Sequence, residues 1–192
     1  MTDKSRKLRR NRQKGFSLME AMIAVLVLSF GILSLAAVFA QGLLFSAASQ
    51  FDYIAQKKSE EAVESIFNAR NTQAKSWAQI QNVGATGGGI FLVGPQPLLA
   101  PGLADGLVGT ANDDAAHPDS VIVGPGPDGI LGTADDVTIP LSNMQRTIQI
   151  APVLDAAGNV EPNVRTITVT MTYRVGSLNR TYTLVSYISA FS

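Results

Sequence analysis

Cysteine is absent from all 192 residues, which excludes disulfides, thiolate catalysis and cysteine-based zinc sites together. An exported domain built from this chain must therefore hold by packing, hydrogen bonds or a metal. Histidine occurs once, as His117 in DDAAHPDS, a loop-like setting that suits a solvated side chain better than a catalytic base. No Ser/His/Asp grouping, phosphate-cradling loop or nucleotide fingerprint is legible, so the chain reads as a non-enzyme. Proline is missing until Pro95, and charge is missing from Ala21 to Ala40, AMIAVLVLSFGILSLAAVFA.

That uncharged run of 20 residues is long enough, as a helix, to cross a bilayer core of roughly 30 Å. Ser29, Ser34 and Gly31 interrupt it, and a serine hydroxyl can return to the helix backbone at little cost in lipid. A secretory signal peptide would have a shorter apolar region ending at a small-residue cleavage site, whereas this run passes into a polar helix. The pair Arg9-Arg10 lacks the surroundings of a twin-arginine signal. A plain single-span anchor stays open on these grounds.

The formal net charge of zero hides an asymmetry. Residues 1–15 hold seven basic side chains and one acidic one, while 16–192 hold eight basic and fourteen acidic. A basic arm can bind nucleic acid, but this one abuts an apolar run and fits a cytoplasmic flank better. Arg146, Arg165, Arg174 and Arg180 are scattered through an acidic body, which gives nucleic acid no clear footprint.

Where the basic arm meets the apolar run stands KGFSLMEAMIAVLVLSFGIL, with Glu20 just inside the apolar stretch. The segment resembles the class III signal of type IV pilins and type II secretion pseudopilins. The resemblance is sharp over about residues 7–45 and architectural beyond. It implies cleavage after Gly15 by a prepilin peptidase, N-methylation of Phe16, and an assembly role for Glu20, the fifth residue of the mature chain. The text AVLVLSFGILSLAAV, without a first-helix proline, is most similar to minor pilins of the PilV type. Implied partners are prepilin peptidase, other major and minor pilins, an inner-membrane assembly platform and the lipid bilayer. The implied location is the bacterial inner membrane, with the leader cytoplasmic and the head periplasmic, and then the pilus surface. A pseudopilin of a type II secretion system shares every N-terminal feature. A single-span exported binding protein is the reading from outside this family.

The physics of Glu20 agrees with the resemblance. A carboxylate in an apolar membrane core costs about 2.5–3.5 kcal/mol, less near the interface, and such a residue usually has a partner. Cutting after Gly15 would create a cation, the Phe16 amine, one helical turn away. Glu20 could meet that amine or a neighbouring subunit's. An acid that simply complements the positive end of the helix is the plain alternative.

Past the apolar run, Phe51, Ile54, Ala55, Ala62, Ile66 and Ala69 fall at helical spacing and predict an amphipathic continuation of the same helix. One helix from near Phe16 to about Asn71 would be roughly 80 Å long. Gly42 is a candidate soft point, and the glycine-rich stretch 84–89 excludes helix. Trp77 and Ile80 suggest a last turn or a cap on the core. Residues 95–140 are rich in Gly, Pro and Asp, and one phrase occurs twice: DGLVGTAND from Asp105 and DGILGTADD from Asp128. Calcium takes six to eight oxygen ligands. Asp128, Asp135 and Asp136 are the candidate ligands of the second copy, and Asp105, Asn112 and Asp113 those of the first. Ordinary Asp-Gly turns are the plain alternative.

In RTITVTMTYRVGSLNRTYTLVSYISAF the residues Ile167, Val169, Met171 and Tyr173 alternate with Thr166, Thr168, Thr170 and Thr172, a strand signal of period two. A turn at 176–179 and a return strand over 181–188 follow. TIQIAPVLD predicts a third strand, and SVIV and DVTIPL short edges. The expected fold class is α+β and pilin-like: a long N-terminal helix with a transmembrane first half, packed on a C-terminal antiparallel sheet. The expected division is a cleaved leader over 1–15, the membrane or fibre-core half of the helix over 16–41, its amphipathic half over 42–75, and a head over 76–192. Within the head, Gly/Asp-rich loops fill 95–140 and the sheet fills 145–191.

Overall fold

The computed structural model describes residues 15–101 and 105–191. Apart from Gly15, the basic leader lies outside the described residues. A single helix, α1, runs Leu18–Asn71 and passes through Gly42 unbroken. Absence of proline and abundance of Ala, Leu and Ser allow this length. The chain divides into two compact units, Met1–Phe45 and Ser46–Ser192.

In the first unit every described side chain is exposed. Among the described residues, α1 is the one helix long and apolar enough to cross a membrane. Ser29 and Ser34 donate their hydroxyls to the carbonyls of Val25 (2.7 Å) and Phe30 (2.8 Å), which settles the polar atoms inside the helix.

In the second unit, α1 buries Ala48, Ala55, Ser59, Ala62, Ile66 and Ala69. The alanines recur every seven residues, so one narrow stripe of methyl groups lets the helix lie close on the sheet. Phe51 and Ile54, expected on this face, flank it half-buried. The helix ends at Asn71, well before the glycine run; Gln73 at φ 57 turns the chain out. A short turn at 76–80 then buries Ile80, while Arg165 stacks 4.0 Å over the Trp77 ring and donates to the Ile80 carbonyl (2.7 Å).

Among the described residues eight strands follow: β1 Gln96–Pro97, β2 Leu99–Ala100, β3 Asp114–Pro118, β4 Ser120–Gly124, β5 Val137–Pro140, β6 Met144–Leu154, β7 Val160–Val175 and β8 Leu178–Ser189. The main sheet is antiparallel with order β1-β6-β7-β8. β7 and β8 join through Gly176-Ser177, with Val175 opposite Leu178 and Gly176 at φ 60, which only glycine adopts readily. β2 pairs β3, and β4 pairs β5, as separate two-stranded sheets. SVIV and DVTIPL thus pair with each other and not with the main sheet. Where β1 stops, the Asn82 side chain replaces a strand: its amide donates to the Ile148 carbonyl (2.7 Å) and accepts from the Ile150 N–H (2.7 Å). The α+β, pilin-like fold class expected from the sequence is the observed one.

The core lies between α1 and the sheet in two clusters. One gathers Ala62, Ile66, Phe91, Leu107, Val108, Ile148, Ile167 and Val169; the other gathers Ala55, Leu98, Leu141, Met144, Met171 and Tyr173. Tyr173, 5% exposed, donates its hydroxyl to Asp52, which also takes Arg180 at 2.8 Å. Burial first, and the hydrogen bond to this carboxylate second, push the phenol from its ordinary 10 up to about 12. A group whose folded-state pKa is raised stabilises fully below its unfolded value and loses that contribution as pH climbs through the folded value. Melts of the full chain are therefore expected to show a loss of about 1–2 kcal/mol between pH 10 and 12, reduced by solvent screening, that the Tyr173→Phe variant lacks. Equal losses in both chains would show that Tyr173 does not carry the effect.

Candidate processing and assembly site

Ser17 precedes the first helical residue, and its hydroxyl accepts the Glu20 N–H at 3.2 Å. Ser17-Leu18-Met19-Glu20 is thus a Ser-x-x-Glu helix start, with an acid placed where the amide dipoles make the helix end positive. The alternative of a helix-complementing acid has this local basis, carried by Ser17 and Glu20 in the sequence itself. Among the described residues the Glu20 carboxylate forms no ion pair. Gly15 and Phe16 lie just outside the helix and exposed, so the bond between them sits in non-helical backbone next to a capped helix. A protease needs such non-helical backbone.

The duplicated phrase folds the same way twice. The Asp113 carboxylate accepts the N–H groups of Gly109 (2.7 Å) and Thr110 (3.1 Å), and that of Asp136 accepts those of Gly132 (2.6 Å) and Thr133 (3.2 Å). Asp105 and Asp128 accept the N–H two residues on, from Leu107 (3.2 Å) and Ile130 (2.8 Å). Asn112 donates to Asp105 (3.3 Å), while Asp135 takes the Thr133 hydroxyl (2.7 Å). The glycines at both matched positions have positive φ: 63 and 72 for Gly106 and Gly129, 79 and 92 for Gly109 and Gly132. The residues expected as calcium ligands thus direct oxygens at their own loops. Among the described residues, no three His, Cys, Asp or Glu side chains form a group that could hold a metal. His117 is exposed, as expected, but it lies in strand β3 and not in a loop, 2.6 Å from Asp114.

A polar seam separates the two core clusters, and sequence reading missed it. Arg146 is only 2% exposed, and its Nε and Nη1 have no hydrogen-bond partner. Burial lowers its pKa, against the opposing fields of Asp113, Glu61 and Asp119. Lys58 joins the same seam, 2.7 Å from Asp119 and 2.8 Å from Glu61. The signal was present in Met144-Gln145-Arg146-Thr147-Ile148: period two places Arg146 on the apolar face.

Comparison with curated proteins and with solved structures gave no match. A family model does match: residues 10–36, a span that holds Gly15, Phe16 and Glu20, fit the prokaryotic N-terminal methylation motif, so the chain carries the signal of a type IV pilin-like prepilin.

Proposed function

We propose that the chain is a minor pilin of a type IV pilus, a structural subunit cut after Gly15, methylated on Phe16 and then assembled into the fibre or used to prime it. The observation that carries this is the coincidence of the methylation motif over 10–36 with a capped helix whose first 20 uncharged residues are all exposed. So large an apolar surface is stable only in lipid or against other apolar helices. Prepilin peptidase, an inner-membrane platform and other pilins are the partners this role requires. Glu20 would pair with a Phe16 amine, and a neighbour's amine would fix the stacking register.

Co-expression with a prepilin peptidase tests the proposal. The full chain is expected to lose residues 1–15, and a Gly15→Val variant to stay uncut. Equal mobility of the native chain with and without peptidase would overturn it. A calcium titration of the full chain tests the two Asp-Gly loops separately. If they hold calcium, as the sequence suggests, a saturable heat is expected that Asp128→Ala abolishes; Asp136 Oδ1, buried without a hydrogen-bond partner, is an oxygen free to serve it. Absence of heat would leave them as plain Asp-Gly turns.

A further inference from the structure

The uncharged stretch of α1 is longer than the hydrocarbon it would cross. From Ala21 to Phe51 the sequence runs 31 residues without Asp, Glu, Lys or Arg. As helix that is about 46 Å, against about 30 Å of bilayer hydrocarbon and 40–45 Å with both headgroup layers included. The first 20 residues already fill the hydrocarbon, so residues 41–51 are surplus, and Asp52 is the next charge. The second compact unit begins inside that surplus, at Ser46.

This opening segment of the second unit, Ser46 to Ile54, forms one wall of a groove of about 730 Å³, and the β4–β5 hairpin forms the other. Phe51, Ile54, Val123 and Ile139 supply apolar surface to it, and Ser49, Gln50 and Tyr53 supply polar atoms. Val121, paired with Ile139 across the hairpin, packs against the second core cluster and ties the hairpin to the unit. Val123, Ile139 and Tyr53 nevertheless stay 54%, 45% and 61% exposed. A half-covered apolar cleft beside hydroxyls and an amide matches the boundary of a bilayer, where acyl chains meet their ester groups. Tyrosine is enriched at that level because its ring is apolar and its tip polar. Residues 76–145 hold seven aspartates and neither Lys nor Arg, so the hairpin is suited to apolar contact and not to attraction by an anionic surface.

We infer that this groove is a lipid site: a phospholipid of the bilayer fills it with the upper part of an acyl chain, and the hairpin rests Val123 and Ile139 in the interface. Leaving the bilayer then requires the chain to shed lipid from the groove as well as from the apolar run. The site rests on the membrane-spanning reading of α1 and not on the minor-pilin proposal.

A chain without cysteine accepts single reporters. Full-length Val123→Cys, Ile139→Cys and, at the start of β7, Val160→Cys are all altered at exposed positions, and each carries a thiol-linked NBD fluorophore in phosphatidylcholine vesicles. Lipid bearing a nitroxide near the top of its acyl chain is expected to remove roughly half the emission at Val123 and Ile139, because interfacial apolar faces sit about 5–10 Å into the headgroup boundary. Emission at Val160 is expected to stay unchanged. Ile139→Asp beside Val123→Cys is expected to bring the Val123 label to the unquenched level of Val160. Thermal melts in detergent establish that each labelled variant is folded. Folded chains whose Val123 and Ile139 labels are quenched no more than the Val160 label overturn the site. Quenching that needs crowded vesicles, with Val123→Cys chains crosslinking to one another, gives the groove to a second copy and overturns it too. A chain cut after Gly15 whose labels stay unquenched leaves the minor-pilin proposal standing, and an uncut chain with quenched labels does the reverse.

Discussion

Replacing Asp119 by alanine is expected to lower the stability of the chain by about 3–5 kcal/mol, although the residue belongs to a short loop between β3 and β4. Asp119 is 7% exposed and lies 2.7 Å from Lys58 Nζ, with its other oxygen on the Ser120 N–H at 2.8 Å. Its backbone joins Leu98 and Leu141 across the same region (3.0 and 2.8 Å). Burial opposes the charge on Lys58, yet the hydrogen bonds it donates to Asp119 and Glu61 prevail and raise its pKa. Without Asp119, Lys58 and Arg146 share a buried seam with too few carboxylates, and an uncompensated buried charge is among the costliest of point defects. Arg146→Met should act in the opposite sense. Two of its guanidinium nitrogens are buried without partners, so an apolar side chain of similar length is expected to leave stability unchanged or to raise it by about 1–3 kcal/mol. Urea unfolding of the two full-length variants measures both effects. A destabilisation by Arg146→Met as large as that by Asp119→Ala would mean that Arg146 is firmly paired, and the seam would need redrawing.

Glu20→Ala is expected to be cut normally yet reach fibres roughly tenfold less than the native chain, or not at all. On the proposed reading, cleavage would depend on the backbone at Gly15 and Phe16, which lies outside the helix, and not on the Glu20 side chain. The hydroxyl of Ser17 still caps the Glu20 N–H position whatever the side chain there. Removing the carboxylate makes the apolar segment more comfortable in lipid by about 2–3 kcal/mol and would remove the group proposed to meet a Phe16 amine. Both changes favour retention in the membrane over transfer to a fibre. The ratio of variant in sheared fibres to variant in membranes, set against the native chain, reads the effect directly. Wild-type incorporation would leave Glu20 with the cap-complementing role alone.

Strong periodicity in the sequence carried over to the structure. The uncharged run and the Ala/Ile spacing beyond it give one helix, and the Thr-alternating text gives β7 with its apolar face buried. Missing proline made the helix legible because no competing geometry is encoded before Pro95. What the sequence hid depends on contacts distant along the chain. SVIV and DVTIPL carry strand propensity, but propensity does not name a partner, and they pair with each other. The Asp-Gly repeat showed its turns plainly. That one copy plugs the core while its twin stands exposed depends on Ile148 and Lys75, far from both in sequence. Arg146 escaped notice because a lone arginine in an acidic body suggests a surface, although its period-two neighbours Met144 and Ile148 are buried.

If the chain is a processed pilin, the basic leader is temporary and the mature chain begins at a modified phenylalanine. Mass spectrometry of the N-terminal peptide, taken from the chain isolated from its native membranes, measures this. The expected result is a chain starting at Phe16 and carrying one N-methyl group, with residues 1–15 gone. A chain that still begins at Met1, or one cut near Ala40, would contradict it.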